Sequence, residues 1–406
     1  MKASWDISRR LFLKGLSTAA IGVGVAPSGL LVRAAEGAAP GPGVFVHVFL
    51  RGGADGLALC PPIGDSDYFS LRGGIALSRG DVINLDGYFG LHPSLGRLKS
   101  AFSDGRLALV HAVGSYGLTR SHFDAQDFME TGAPGNRSIS NGWLERAVEA
   151  IPGREVTQAV SFSTQLTRSL WGGEPVLVGP TLSAFDLHAR GWRGEAESGL
   201  RAMYEADASS VGQTGLETLA VINALLKAPA VGGATQNGAT YPSSSVGNSL
   251  RQAAQLIRAG IGTRCIFVNV AASFDTHSRQ LSANQVEFGR LGDALAAFDQ
   301  DLGRLMDDVV VLVSTEFGRT AYVNGSEGTD HGSGHCALVL GGRVRGGRVY
   351  GRWPGLGKGQ LYEDRDLAIT TDFRDLFAEL AGRQLGISTT NLFPGYTPGP
   401  GLGIVA

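Results

Sequence analysis

The sequence predicts an α/β fold with a doubly wound, largely parallel central sheet flanked by helices. Short apolar runs rich in β-branched residues recur along the chain, which is typical of strands buried on both faces. Between these runs lie longer segments with apolar residues at every third or fourth position, which is typical of amphipathic helices. Alternation of such strands and helices favours a parallel sheet.

Apolar runs are predicted to form the strands of this sheet. They lie at residues 44–50, 107–113, 156–162, 175–179, 263–271, 309–314 and 336–340. The strongest signal is Val-Val-Val-Leu-Val-Ser at 309–314, because residues that favour strands fill it almost without interruption.

Helices are predicted between these strands. The Ser-x-x-Asp pattern at 121–124 has the form of a helix start, and Leu291, Leu295 and Phe298 mark one face of an amphipathic helix at 291–305. Further helices are predicted at 143–150, 192–206, 216–227, 249–259 and 372–380. We interpret residues 40–406 as a single domain in which 228–245, rich in Gly, Ala, Ser and Thr, forms a flexible surface loop.

Residues 1–39 are predicted to be a twin-arginine signal peptide. Ser-Arg-Arg-Leu-Phe-Leu-Lys at 8–14 matches the twin-arginine pattern, and an apolar stretch at 16–31 follows it. That stretch is shorter than the ~20 residues that a membrane-spanning helix needs, and Pro27 interrupts it. We therefore expect export by the twin-arginine translocation machinery to the periplasm or the medium, with no stable membrane anchor in the mature chain.

Charge and cysteine content exclude several classes of protein. The chain has 35 Lys and Arg residues against 37 Asp and Glu residues, so no strong field favours nucleic acid or an anionic membrane. Cys60, Cys265 and Cys336 are far apart and form no CxxC pair, so neither a zinc ribbon nor a disulfide scaffold is indicated. His47 and His111 lie within apolar runs and are interpreted as core residues.

Polar side chains follow four of the predicted strands. In chain order they are Asp55, Ser121 with His122, Asp275 with His277, and Glu316 with Asp330, His331 and His335. Because the carboxyl ends of parallel strands meet at one edge of a sheet, we expect these groups to gather there. Imidazoles and carboxylates at such an edge favour a metal or acid–base site.

Five motifs together resemble a known family. They are Arg-Gly-Gly-Ala-Asp-Gly-Leu at 51–57, Arg-Ser-His-Phe-Asp-Ala-Gln-Asp at 120–127, Phe-Asp-Thr-His at 274–277, Thr-Glu-Phe-Gly-Arg at 315–319 and Asp-His-Gly-Ser-Gly-His at 330–335. With the twin-arginine start, they resemble the exported "domain of unknown function 1501" family, which is placed in the alkaline phosphatase-like superfamily with the sulfatases. The resemblance spans nearly all of the mature chain.

The resemblance implies a site with one or two divalent metal ions, zinc, manganese or calcium. Carried over onto this chain, it makes Asp55 the first carboxylate ligand and Ser121 the candidate nucleophile at a helix N-terminus. It also makes Asp275 and His277 a carboxylate–imidazole pair on a metal, with His335 as a distal ligand. The implied substrate is a small anionic phosphate or sulfate ester.

One position departs from the superfamily pattern. Glu316 is followed by Phe317 where the superfamily usually has Asp-His, and a phenyl ring cannot bind a metal. Asp330 and His331 supply an Asp-His-Gly sequence, but on the loop beyond the strand. Either this loop folds back to supply the ligands, or one metal site is weakened or lost.

Each candidate also has a structural interpretation. Ser121 could be a nucleophile or an N-cap, with Thr119 as the substitute nucleophile, and Asp55 could be a ligand or a turn former. Arg120 and Arg319 could bind a substrate anion or hold a carboxylate.

His122 could bind an anion or orient a neighbouring group, and the other histidines and aspartates could be hydrogen-bonding or capping groups. Two functions therefore stay open. One is an exported metal-dependent hydrolase of phosphate or sulfate esters, and the other is a non-catalytic exported binding or scaffold protein with a partly degenerate metal site.

Overall fold

The computed structural model describes residues 43–117, 119–153, 157–187, 189 and 191–406, with the backbone alone at 210 and 227–232. The predicted signal peptide, residues 1–39, lies outside this part of the chain. In the described ranges, no helix combines the length and the apolar character that crossing a membrane requires.

A large, mostly parallel sheet forms the centre of the molecule. Its strands are β1 (Val44–Arg51), β4 (Leu107–Gly114), β5 (Ala159–Phe162), β6 (Leu177–Val178), β7 (Cys265–Ala271), β8 (Val309–Thr315), β9 (His335–Gly341), β10 (Arg348–Tyr350) and β11 (Thr371–Asp372). They are ordered β10-β4-β9-β8-β1-β7-β5-β6, and β11 pairs with β4. A separate two-stranded sheet joins β2 (Ile83–Asn84) to β3 (Gly90–Leu91).

Helices connect the strands and cover the sheet. They are α1 (Gly56–Leu59), α2 (Ser66–Arg72), α3 (Lys99–Ser103), α4 (His122–Thr131), α5 (Trp143–Glu149), α6 (Arg193–Glu205), α7 (Ser210–Gly232), α8 (Ser245–Ala259), α9 (Gln280–Leu302) and α10 (Phe373–Leu385). The predicted loop at 228–245 is therefore shorter than expected, since helix α7 extends to Gly232.

Apolar side chains fill both faces of the sheet. On one face, Leu250 of α8 and Leu291 of α9 belong to the same buried cluster as Val46 of β1. On the other face, Trp143 of α5 and Phe377 of α10 belong to a second cluster. The strands alternate their side chains between these two layers of helices, which explains why they appear in the sequence as continuous apolar runs. The predicted α/β class with a largely parallel, helix-flanked sheet is confirmed.

Strand β9 is antiparallel to both of its neighbours, β4 and β8. The chain between β8 and β9 contains no helix that would carry it to the far edge of the sheet. It leaves β8 after Thr315 and enters β9 at His335, so it starts and ends at the same edge. This return brings the 316–334 segment back over the carboxyl ends of β1, β7 and β8.

A candidate metal centre at the strand ends

Three imidazoles and one carboxylate converge at this edge of the sheet. The Nε2 atoms of His277 and His331 lie 3.0 Å apart, and they are 3.0 Å and 3.1 Å from Oδ1 of Asp275. Nε2 of His122 lies 3.5 Å from Oδ2 of the same carboxylate. One ligand atom each of His122, Asp275 and His331 lies within 4.8 Å of the other two, so these three residues could hold a metal ion, and His277 adjoins them. We call the four residues the outer cluster.

Separate elements supply the outer cluster. His122 is the first residue of helix α4, and Asp275 and His277 lie on the loop after β7. His331 lies on the segment that returns from β8 to β9, where it forms a β-bridge with Arg319. The displaced Asp-His sequence of this segment therefore does fold back onto the strand ends.

In each imidazole of the outer cluster, Nδ1 points away from the other residues of the cluster and donates a hydrogen bond to an oxygen atom. Nδ1 of His122 lies 2.7 Å from Oε1 of Glu316, and Nδ1 of His277 lies 2.9 Å from Oδ1 of Asp330. Nδ1 of His331 lies 2.7 Å from the carbonyl oxygen of Arg120. Since these oxygens can only accept, we assign a proton to each Nδ1, and in the neutral form of each ring Nε2 then carries the lone pair.

The ligand atoms of His122, Asp275 and His331 are close enough together to hold one transition-metal ion. Nε2 of His122 is buried and has no hydrogen-bond partner, although it faces a carboxylate. Nitrogen ligands at 2.0–2.1 Å from a tetrahedral ion are roughly 3.3 Å apart, close to the separation of the His277 and His331 nitrogens. A set dominated by imidazoles suits zinc or manganese better than calcium, which prefers oxygen ligands.

Glu316 orients His122 and lies behind the outer cluster. Its side chain is completely buried, and its Oε1 accepts hydrogen bonds from the Gly52 amide at 2.9 Å and from Gln126 Nε2 at 2.7 Å, besides that of His122. Gln126 and His122 are four residues apart on α4, so both reach the same carboxylate from one helix face. We predicted Glu316 as a metal ligand; in the structure these donors occupy its Oε1, and its Oε2 accepts a hydrogen bond of 2.9 Å from the Thr315 hydroxyl.

The Glu316–His122 pair is charge-assisted. The hydrogen bond to Glu316 raises the pKa of His122 above its ordinary value. Burial raises the pKa of Glu316, but the hydrogen bonds from His122 and Gln126 outweigh it and hold that pKa below its ordinary value. A carboxylate behind a metal-binding imidazole fixes the ring and raises its basicity.

Arg319 holds Asp275 in place. Its side chain is completely buried, its Nη1 donates to Oδ1 of Asp275 at 2.7 Å, and its Nη2 donates to the Thr329 carbonyl at 2.6 Å. Burial raises the pKa of Asp275, but the bond to Arg319 keeps it below the ordinary value. Of the two predicted roles of Arg319, the structure gives it that of holding a carboxylate.

Asp55 lies in a different environment from the one that we predicted. Its carboxylate forms a buried bidentate pair with Arg72, accepts a hydrogen bond of 2.6 Å from Gln280 Nε2, and caps helix α1 through the Leu57 amide. These donors occupy both carboxylate oxygens. The Gly-rich turn explains the difference, because it places Asp55 at a helix N-cap that points into the core.

His335 and Asp330 also differ from the predicted ligands. His335 is completely buried, burial lowers the pKa of its imidazole to about 4, and neither ring nitrogen has a hydrogen-bond partner. Its nitrogens are not among the converging atoms of the outer cluster. Asp330 instead contacts the far side of the His277 ring, where its Oδ1 accepts a hydrogen bond from Nδ1.

Phe317, the departure from the superfamily pattern, packs beneath the outer cluster. Its ring is 1% exposed, and its centroid lies 4.8 Å from that of His122 and 4.9 Å from that of His331. Gly53 makes room for it with a φ of 65°, since a Cβ there would lie 2.5 Å from Phe317 Cε2. The phenyl ring thus packs against both imidazoles and restricts their orientation.

Ser121 and Arg120 lie at the rim of the outer cluster. Ser121 is exposed, precedes helix α4 and makes no capping hydrogen bond through its side chain. The Arg120 guanidinium pairs with Glu363 and with the buried Asp366, each at 2.6 Å. Arg120, Thr119 and Phe317 are among the residues that line a cavity of ≈ 180 Å³.

His122 is the residue of the outer cluster whose position the sequence predicted least well. We considered it as an anion binder or an orienting group, whereas its Nε2 belongs to the outer cluster. Its position at the first residue of a helix after a strand exit was the available signal. That signal was weak, because the side chain that fixes the ring, Glu316, lies 194 residues away in the sequence.

Comparisons with known proteins give a family and a distant structural likeness. No curated protein matches the chain. A solved structure described as "Crystal structure of Ps i-CgsB in complex with k-i-k-neocarrahexaose" is similar with a TM-score of 0.38 and 10% sequence identity, over 87% of this chain and 76% of that one. The family model described as "Protein of unknown function (DUF1501)" matches residues 44–392. The chain therefore belongs to the DUF1501 family.

Proposed function

We propose that this protein is an exported metal-dependent hydrolase of phosphate or sulfate esters. The ion, zinc or manganese, would be held by His122, His277, His331 and Asp275. The observation that carries the proposal is the convergence of three Nε2 lone pairs on one carboxylate, with every Nδ1 already bonded to an oxygen. In that arrangement the lone pairs repel one another unless a cation or a proton lies between them.

The surrounding residues support ester hydrolysis. A divalent ion in this position would lower the pKa of a bound hydroxyl or water and offset charge on a phosphoryl or sulfuryl group. Ser121 is the candidate nucleophile, because it is an exposed serine that comes directly before His122 in the sequence, at the start of α4. The ten-residue helix α4 directs its N-terminal dipole towards the same place, which favours an anionic group there.

We also propose, on the same basis, that the fold is of the alkaline phosphatase-like class. The mostly parallel sheet and the position of the outer cluster outside the carboxyl ends of β7 and β8 are in keeping with it. Export by the twin-arginine route to the periplasm or the medium is part of the proposal. That route carries folded proteins, which suits a chain whose metal ligands come together only on folding.

One observation favours the alternative of a non-catalytic exported binding protein. The two arginines that we predicted as substrate-binding groups are already neutralised, Arg120 by Glu363 and Asp366 and Arg319 by Asp275. A substrate anion would have to compete with Glu363, which is half-exposed, for Arg120. A binding protein of this kind would hold metal and hydrolyse no ester.

Metal analysis joined to an ester screen tests the proposal. We expect the purified protein to hold a divalent ion and to hydrolyse members of a panel of phosphate and sulfate monoesters. Asp275→Asn should lose both properties. The matched control is Asp308→Asn, because that carboxylate is similarly exposed (47% against 44%) and also pairs with an arginine, but at the opposite edge of the sheet.

The outcomes separate the two functions. Metal that is bound by the wild type and lost in Asp275→Asn, without turnover of any ester, would favour the binding protein. A wild-type protein that takes up neither zinc nor manganese would overturn both.

A further inference from the structure

A second group of metal-ligating side chains lies inside the core, apart from the outer cluster. Cys60 follows helix α1, His111 belongs to β4 and Cys336 to β9. One ligand atom from each lies within 4.8 Å of the other two, and all three residues are buried. We call these residues the inner cluster.

The imidazole of the inner cluster has an unused lone pair. Nε2 of His111 lies 2.7 Å from the carbonyl oxygen of Cys60, which can only accept, so the ring proton is on Nε2. Nδ1 is then an acceptor, and it is buried with no hydrogen-bond partner. A buried acceptor without a donor is costly unless a cation or a donor occupies the position beside it.

The surroundings of the inner cluster are apolar. Phe89 stacks on the His111 ring at 5.1 Å between centroids, and Trp353 contacts the same ring edge-on at 5.0 Å. Cys60 and Cys336 belong to the main hydrophobic cluster of the described residues.

We propose that Cys60, Cys336 and His111 supply three ligands of a buried zinc site. Two thiolates and one neutral imidazole around Zn²⁺ have no net charge, which is the arrangement that an apolar core tolerates best. A monovalent copper ion in the same site would leave a net negative charge there. Binding would release the two thiol protons to solvent as the two Zn–S bonds form.

The inner site does not depend on the outer cluster. The rate at which a bound metal ion leaves each site distinguishes the two. Asp275 and His277 are about half exposed, so a chelator reaches an ion there directly. The inner ligands are at most 5% exposed, so a zinc ion there leaves only when the core opens. Brief treatment with a chelator should therefore strip the outer ion and leave about one zinc per chain until the protein is unfolded.

Single cysteine variants of the full-length chain test the inner site. Cys336→Ala should lose the slowly exchanging zinc, whereas Cys265→Ala should retain it. Cys265 is the matched control, because it is 1% exposed and lies in a central strand, but is not part of the inner cluster. Circular dichroism shows whether each variant is folded, and Asp275→Asn should leave the slow zinc unchanged.

A measurement on the wild-type protein keeps the proposal falsifiable if Cys336→Ala does not fold. Unfolding in the presence of a metal indicator should release zinc at the same time as the thiols of Cys60 and Cys336 become reactive. Two results would overturn the proposal. One is three reactive thiols on unfolding with no slow zinc released, and the other is a Cys60–Cys336 disulfide in a non-reducing peptide map.

Discussion

Nε2 of His277 and Nε2 of His331 face each other at 3.0 Å, while Nδ1 of each ring is bonded to an oxygen atom of the protein. Two neutral imidazoles in this arrangement present lone pair to lone pair. The contact is unfavourable unless a proton or a cation lies between the rings. The position of the oxygens behind the rings is therefore as informative about metal binding as the identity of the ligands.

Glu316→Gln is expected to weaken zinc binding by about 10–100-fold without abolishing it. The variant keeps the shape of the side chain but removes the charge that raises the pKa of His122 and fixes its ring. Titration calorimetry of metal-free protein gives the affinity. Glu379→Gln is the control, since that carboxylate also accepts backbone amides but lies in the C-terminal region. Equal affinities of Glu316→Gln and the wild type would contradict the orienting role.

Ser121→Ala is expected to lower ester hydrolysis by at least about 100-fold while leaving metal content unchanged. Its hydroxyl is the candidate nucleophile, and it makes no capping hydrogen bond whose loss would unfold helix α4. The comparison is Thr119→Ala, whose hydroxyl accepts a hydrogen bond from the Ser121 amide at 3.2 Å. Steady-state rates with the best ester of the panel measure both. If Thr119→Ala loses activity and Ser121→Ala keeps it, the nucleophile is Thr119.

Asp55→Asn is expected to lower the free energy of unfolding by about 3–5 kcal/mol, because it leaves the buried Arg72 guanidinium without its counter-charge. Metal content should stay the same, since Asp55 contacts Arg72 and Gln280 and not the outer cluster. Urea unfolding gives the stability, and metal analysis of the folded variant gives the stoichiometry. A stable variant that has lost its metal would restore Asp55 as a ligand.

Acidification below pH 6.5 is expected to destabilise the fold through buried histidines. Burial lowers the pKa of His47 to about 3 and that of His92 to about 4, from an ordinary value of 6.5. The unfolded chain takes up these protons below pH 6.5 while the folded chain does not. Stability is therefore full above pH 6.5 and is lost as the pH falls towards 4, by about 1.4 kcal/mol per pH unit for each histidine.

The slope of unfolding free energy against pH, measured by urea unfolding between pH 6.5 and 4, checks this prediction. His47→Gln should remove from this slope the contribution of the one proton that His47 takes up on unfolding. This holds whatever the substitution does to the stability at neutral pH. A slope identical to that of the wild type would show that His47 takes up its proton in the folded state as well.

The sheet was predictable because burial on both faces leaves a direct record in the sequence. The runs at 44–50, 263–271 and 309–314 became the adjacent strands β1, β7 and β8. The direction of β9 was not predictable, because an apolar run of five residues has the same composition in a parallel and in an antiparallel strand. Helix α9 was predicted too short, since apolar spacing was clear only in its second half.

The outer cluster was predictable in part. The strand exits placed Asp275, His277 and His331 at one edge, where the structure brings them together, because the carboxyl ends of β7 and β8 are adjacent through β1. Two further features were not predictable. Glu316 and Asp55 bind other side chains of the protein, and His122 belongs to the outer cluster. Which carboxylate faces an imidazole and which one faces an arginine depends on contacts with Arg72 and Gln126 that no local pattern encodes.

The antiparallel direction of strand β9 makes the formation of the outer cluster depend on the folding of distant segments. Because the 316–334 segment returns to the edge that it left, His331 meets the Arg120 carbonyl across 211 residues of sequence. The four residues of the outer cluster lie on three separate segments of the described chain, so the complete set comes together only when these segments have folded. Formation of this set of ligands therefore requires that strands β4, β7, β8 and β9 have come together.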